Sequence, residues 1–150
     1  MTFLLDVNVL VALIDPAHVD HDTAHRWFEH QGRSSWATCP LTENGVIRIV
    51  GHPGYPGAPG SPAVVAAIIA RLRALPGHVF WPDDISLVDA AHVDIAQILT
   101  SGQVTDSYLL ALAVAHEGCL ATFDRRLSTK AVEGGKAALH LIADGLSRPT

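Results

Sequence analysis

Four carboxylates in this chain fall where a strand gives way to a helix or where a helix begins. Asp6 follows the apolar run Phe3-Leu4-Leu5, Glu43 follows Pro40-Leu41-Thr42, Asp106 opens a long apolar stretch, and Asp124 follows Cys119-Leu120-Ala121-Thr122-Phe123. Taken singly, each suits capping of a helix or contact with the positive end of its dipole. Gathered on one sheet edge, they would concentrate negative charge in a cleft. Two like charges ~4 Å apart repel by ~4 kcal/mol at an effective dielectric of ~20, so such a cluster must take up protons or hold a cation. Oxygen donors without a neighbouring cysteine favour magnesium or manganese over zinc. An ion of that kind grips phosphate oxygens and lowers the pKa of an attacking water. The chemistry to expect is phosphodiester hydrolysis.

The elements that must position these acids alternate along the chain. Short apolar stretches at 2–5, 35–38, 78–81, 119–123 and 139–142 read as strands. Helical spacing marks 8–14, 20–30, 42–50, 61–75, 89–99 and 106–117. In 20–30 the spacing puts Ala24, Trp27 and Phe28 on one face, and in 61–75 it suggests a stripe of Val64, Ile68, Leu72 and Leu75. The alternation predicts an α/β fold with a mostly parallel sheet of about five strands covered on both faces. In such a sheet the carboxyl ends of the strands share one edge, where ligands gather. The helix from Asp106 is apolar nearly all round, so it is expected to lie between the sheet and a further layer, either more of this chain or a second copy.

Composition narrows the class. The 150 residues fit one domain, are 49% hydrophobic and 17% charged, and have a mean hydropathy of +0.27, which excludes a disordered chain. The net charge of −5 excludes a bulk electrostatic nucleic-acid binder, so any nucleic-acid contact must be local. Arg125, Arg126 and Lys130 directly follow Asp124 and are the candidate phosphate contacts. Cys39 and Cys119 are too few for a disulfide framework and have no CxxC spacing, which points to a reducing cytoplasm. No secretory leader is evident at the N-terminus, and the longest apolar runs fall short of the ~20 residues that cross a bilayer. A soluble, cytoplasmic domain is expected.

Three local features carry weaker signals. Residues 51–62 read GHP-GYP-GAP-GSP, expected to form a stiff, extended loop. His21 and His25 are four apart, a spacing that can bind zinc, but with no third ligand they read as a solvated helix face. Asp83 and Asp84 follow a strand and are expected in turn or capping roles.

In this setting the sequence resembles the PIN-domain ribonucleases, and within them the VapC-type toxins of bacterial toxin–antitoxin pairs. Leu4-Leu5-Asp6-Val7-Asn8-Val9-Leu10 is similar to the family's first motif, with Val7 where a hydroxyl residue often stands. Thr42-Glu43 with Val46 and Ile47 is similar to the second, Thr105-Asp106 before an apolar helix to the third, and Ala121-Thr122-Phe123-Asp124 to the fourth. The match runs in order from about residue 3 to 142.

The resemblance implies a single three-layer PIN domain over residues 1–150, with its core at about 3–142. It implies an acidic pocket in which Asp6, Asp106, Asp124 and Glu43 hold Mg2+ or Mn2+, with Asn8 in support. It further implies endoribonuclease activity, a homodimer, and inhibition by a cognate VapB-type antitoxin whose C-terminal segment covers the cleft. Arg125 and Arg126 would contact RNA. Two other readings stay open on the residues alone: a non-catalytic PIN-fold module that keeps the acidic pocket, and a phosphatase using Asp6 as nucleophile. The second is weakened because position 8 is Asn and supplies no second acid.

Overall fold

The structure is a computed structural model that describes residues 1–143; residues 144–150, the end of the expected 1–150 domain, lie outside the described residues. Five strands, β1 (Phe3–Leu5), β2 (Trp36–Thr38), β3 (His78–Phe80), β4 (Cys119–Thr122) and β5 (Leu139–Leu141), pair entirely in parallel in the order β3-β2-β1-β4-β5. Every expected strand is present, each one residue shorter at one end. Alternation of side chains across the pleat splits the core in two. Leu5, Trp36 and Ala121 face one layer, while Leu4, Ala37 and Leu120 face the other.

The first layer is built from α1 (Val7–Ile14), α2 (His21–Trp27), α3 (Pro40–Val50) and α4 (Pro62–Arg73). Ala24, Trp27 and Phe28 bury together as their spacing suggests, although the α-helix passes into a π-helical stretch at Phe28–Gly32. In α4 the buried stripe differs from the expected one. Val65 and Ile69 are buried, Leu72 packs against them, and Val64 and Leu75 are exposed. The true face is offset by one residue, a phase that an Ala/Val/Ile-rich helix leaves ambiguous until its neighbours are known. Where α1 and α3 cross, a Cβ on Gly45 would come within 2.8 Å of Val7 Cγ2, so only glycine allows this approach beside Asp6.

The second layer is α5 (Val104–Ala115) and α6 (Gly135–Ala138) with the segments around them. Leu109, Leu110, Leu112 and Ala113 are buried against Leu127, Ala131, Val132 and Ala138. The apolar helix is therefore covered by its own chain. Asp106 is the third residue of α5, preceded by a 3-10 turn at Ser101–Gln103 that Thr100 and Gln103 cap reciprocally.

The expected helix at 89–99 does not form. Asp89 Oδ1 accepts from Ala91 N–H, Asp94 Oδ1 accepts from Ala96 N–H, and Asp94 N–H is donated to Ala131 O. These local bonds take the groups that a helix would use, leaving a short 3-10 turn at Ile95–Gln97.

Residues 51–62 are not extended either. Tyr55 N–H is donated to His52 O and Ala58 N–H to Tyr55 O, so the segment winds through successive turns, helped by Gly57 at φ +66. Among the described residues, His21 and His25 have no third metal ligand beside them; His25 is exposed as expected and His21 partly so, yet both rings are tied down. Their ring nitrogens lie 2.7 Å from Ala12 O and 2.8 Å from Leu13 O, where they donate to carbonyls that the end of α1 leaves unpaired. Asp83 does cap, accepting from Leu41 N–H at the start of α3, while Asp84 pairs with His116.

This capping arrangement generates a prediction. His25→Phe keeps a ring of similar size but loses the bond to Leu13 O, and should cost about 1 kcal/mol, or about 3 °C in Tm. Thermal melts would check it, and any shift in Tm on adding zinc should be the same in His25→Phe as in the parent chain.

Candidate active site

Beyond β1 and β4 the chain leaves the sheet on opposite faces, into α1 on one side and toward α6 on the other. That divergence opens a crevice at the carboxyl ends of the two strands, the switch point of an open parallel sheet. Asp6 and Asp124 stand at its two sides. Asp6 is the N-cap of α1: its backbone is extended and its Oδ1 accepts from Val7 N–H at 2.7 Å. Its other oxygen, Oδ2, accepts from Thr122 Oγ1–H at 2.7 Å.

Thr122 joins the remaining groups. Its hydroxyl donates to Asp6 and accepts from Asn8 Nδ2 and from Asp124 N–H, both at 3.1 Å. One donor and two lone pairs are thereby all used. Asn8 Oδ1 in turn accepts from Phe123 N–H at 3.3 Å. Asp124 Oδ1 accepts from Arg126 N–H at 2.9 Å, which turns the chain after β4. Sequence reasoning did not single out Thr122, although the Thr-x-Asp spacing that carries it was in view.

Asp106 reaches the same crevice from α5. Asp6, Asn8, Asp106 and Asp124 line one cavity of about 430 Å3, together with Val7, Val11, His18, Ile49 and Tyr55. The electrostatics match this proximity. Burial pushes the Asp6 carboxyl above its ordinary value against the lowering effect of Thr122 and Val7, and the Asp124 charge adds to the rise. Asp106 is raised from 3.8 to about 6, first by desolvation and then by the charges of Asp6 and Asp124.

Glu43 does not line this cavity. Thr38 Oγ1–H donates to its Oε2 at 2.6 Å, and Arg73 Nη1 lies 3.2 Å from both of its oxygens. His78 Nε2 completes this second cluster, donating to Thr38 Oγ1 at 2.7 Å. Desolvation and the Arg73 charge lower the His78 pKa. The structure thus brings together Asp6, Asn8, Asp106 and Asp124 and holds the fourth acid in an ion pair on α4. Arg125 and Arg126 are exposed immediately after Asp124.

Residues 3–133 match the PIN domain family. This chain belongs to the PIN-domain family, in its VapC group. Ribonuclease VapC44 of Mycobacterium tuberculosis is 44% identical over 134 residues, which cover 89% of this chain and 94% of that protein. Ribonuclease VapC39 of the same organism is 42% identical, covering 89% and 96%, and Ribonuclease VapC38 is 41% identical, covering 93% and 96%. A solved structure of Mycobacterium tuberculosis VapC20, described as a sarcin-ricin loop cleaving toxin, superposes with a TM-score of 0.57 at 15% identity, over 91% of this chain and 94% of that one. At that identity the likeness speaks for the fold of this PIN domain alone.

A divalent ion is tested by the donors present. Among the described residues, no three His, Cys, Asp or Glu side chains are drawn together as a ready cage. The cavity of this PIN domain nonetheless presents three carboxylates and an amide, without cysteine, and two of the acids are raised first by burial and then by neighbouring negative charge. Magnesium is held by one or two carboxylates plus water and needs no closed protein cage. The donor set fits such an ion.

The raised pKa of Asp106 sets a testable sign. Its folded carboxyl keeps a proton up to about pH 6 and its unfolded one only to about 3.8, so folding is favoured most below the lower value and that gain is lost as pH rises through 6. Asp106→Asn cannot ionise. In chelator it should therefore be more stable than the parent above pH 6, by ~1 kcal/mol after solvent screening, with the difference shrinking toward pH 4. Urea melts across this range would check it.

Proposed function

We propose that this PIN domain is a metal-dependent endoribonuclease, acting in the cytoplasm as the toxin of a toxin–antitoxin pair. The observation that carries the reading is the convergence of Asp6, Asp106 and Asp124 on one cavity, with Asp6 and Asp106 raised by burial and shared charge. The names of the VapC relatives support RNA as the substrate class. Asp6, Asp106 and Asp124 would hold Mg2+ or Mn2+, directly or through water. When bound, the ion supplies an activated water and neutralises charge on the phosphate being cut.

The chain's own residues supply position. Thr122 holds Asp6 Oδ2 by a donated hydrogen bond, fixing one carboxylate, and Asn8 braces Thr122 from α1. Asp106 stands in the same cavity, brought there by the first turn of α5. Glu43 is the fourth acid of the proposed set and reaches the ion only by opening its pair with Arg73. Arg125 and Arg126 give the acidic chain a local phosphate contact beside Asp124. A VapB-type antitoxin with a basic C-terminal segment would complement the acidic cavity, and a homodimer is the proposed assembly. A catalytically silent PIN module is the second reading, since the acids could hold an ion without turnover.

Purified chain incubated with total RNA should cut at discrete sites in Mg2+ or Mn2+ and not in chelator. Asp6→Asn should fold and lose at least 100-fold in rate, as expected when transition-state charge stabilisation is removed; metal binding with no RNA turnover would favour the silent module. The double variant Arg125→Ala/Arg126→Ala should flatten the slope of log affinity against log salt by about 1.5. An unchanged slope would remove both residues from the RNA contact.

A further inference from the structure

One wall of the acidic cavity has no part in holding an ion. Val7, Val11, Ile49, Tyr55 and His18 share the space with the carboxylates, and no Lys or Arg lines it. Apart from His18, whose Nδ1 accepts from Asp20 N–H, this wall carries no cation for a phosphate, and Ile49 is 37% exposed there. A half-buried apolar and aromatic surface continuous with a phosphodiester-cutting site suits the face of a nucleobase.

Tyr55 is the aromatic residue on this wall, and it is held by several bonds. Its hydroxyl is donated to a carboxylate oxygen of Asp15, the residue that caps the C-terminal end of α1. Turns on either side fix its backbone, through His52 O at 3.0 Å and Ala58 N–H at 3.1 Å. The hydroxyl bond holds the Asp15 carboxyl below its ordinary range, and burial, then the same bond, pushes the Tyr55 phenol up to about 12. The polar end of Tyr55 is thus committed to Asp15, leaving the ring as the part that can serve a ligand. Asp15 also orders the neighbouring loop, accepting from Ala17 N–H through Oδ1 and from His18 N–H through its carbonyl.

We propose that Tyr55 is a stacking platform for an unpaired RNA base beside the bond to be cut, and that Asp15 is its positioning residue. The inference rests on the nuclease reading above and deepens it: the G-x-P segment serves substrate selection, and the RNA must present a splayed base next to the reacting phosphate.

The test uses a short oligoribonucleotide spanning a cut site mapped with total RNA, together with copies carrying an abasic residue on either side of the cut. The parent chain should cut the intact RNA about 10-fold faster than one abasic copy, as the loss of one base–aromatic stack predicts. Tyr55→Leu should slow only the intact RNA and bring the ratio near 1, while Tyr55→Phe, which keeps the ring and loses the bond to Asp15, should give an intermediate ratio. Asp15→Asn should give an intermediate ratio with the abasic rate unchanged. A parent ratio near 1 on both sides of the cut overturns the proposal without any variant. So does a Tyr55→Leu chain that slows intact and abasic RNA alike, which would make Tyr55 a structural pin only. A parent chain that cuts no RNA at all overturns both this proposal and the nuclease reading, whereas the two preceding outcomes leave the nuclease reading standing.

Discussion

A single hydroxyl, that of Thr122, closes the seam between β1 and β4, and the geometry of the acidic cavity depends on it. It donates to Asp6, accepts from Asn8 and from the backbone of Asp124, and so joins the end of one strand, the first turn of α1 and the turn after another strand. Backbone pairing sets β1 beside β4, and this bridge then ties the Asp6 carboxylate to the turn that carries Asp124. A fully satisfied buried polar network gives rigidity, and a partly satisfied one costs more than an apolar core. All three bonding capacities of this hydroxyl are used, which is why Thr122 can be completely buried.

The seam works against electrostatics that would otherwise open it. Asp6, Asp106 and Asp124 share one cavity, and two of them are raised by burial and mutual charge. A domain core is normally free of such crowding. What offsets it here is apolar packing on both faces of the sheet, with Leu5, Trp36 and Ala121 on one side and Leu4, Ala37 and Leu120 on the other. A bound cation would relieve the repulsion directly. Local instability at the site and its capacity for an ion are therefore the same physical fact.

Arg73 organises a second polar cluster on the other side of β1. Its guanidinium contacts Glu43 and lies 4.9 Å from the centroid of the Phe80 ring. This places a fourth carboxylate near the sheet edge yet in a neutral pair, so the negative field of the cavity comes from three acids. With a net charge of −5, the molecule can meet RNA only where cations such as Arg125 and Arg126 are locally concentrated.

By itself the sequence determined the order of strands and helices, the two-sided core, and the positions of the acids at element ends, because the 2- and 3.6-residue periods and the strand-end carboxylates are local signals. The motif resemblance rested on the same residues. What the tertiary structure alone decided depends on partners distant in the chain. The burying face of α4 was off by one residue because its small apolar side chains admit neighbouring phases. Residues 89–99 lost their helix to Asp89 and Asp94, and to a bond with Ala131 far along the chain. The fate of Glu43 turned on Arg73, thirty residues away, and the use of His21 and His25 on carbonyls of α1. Tyr55 reached the cavity through its bond to Asp15, forty residues before it. Hydrogen bonds and ion pairs act over a few ångströms, so only the folded chain could say which groups meet.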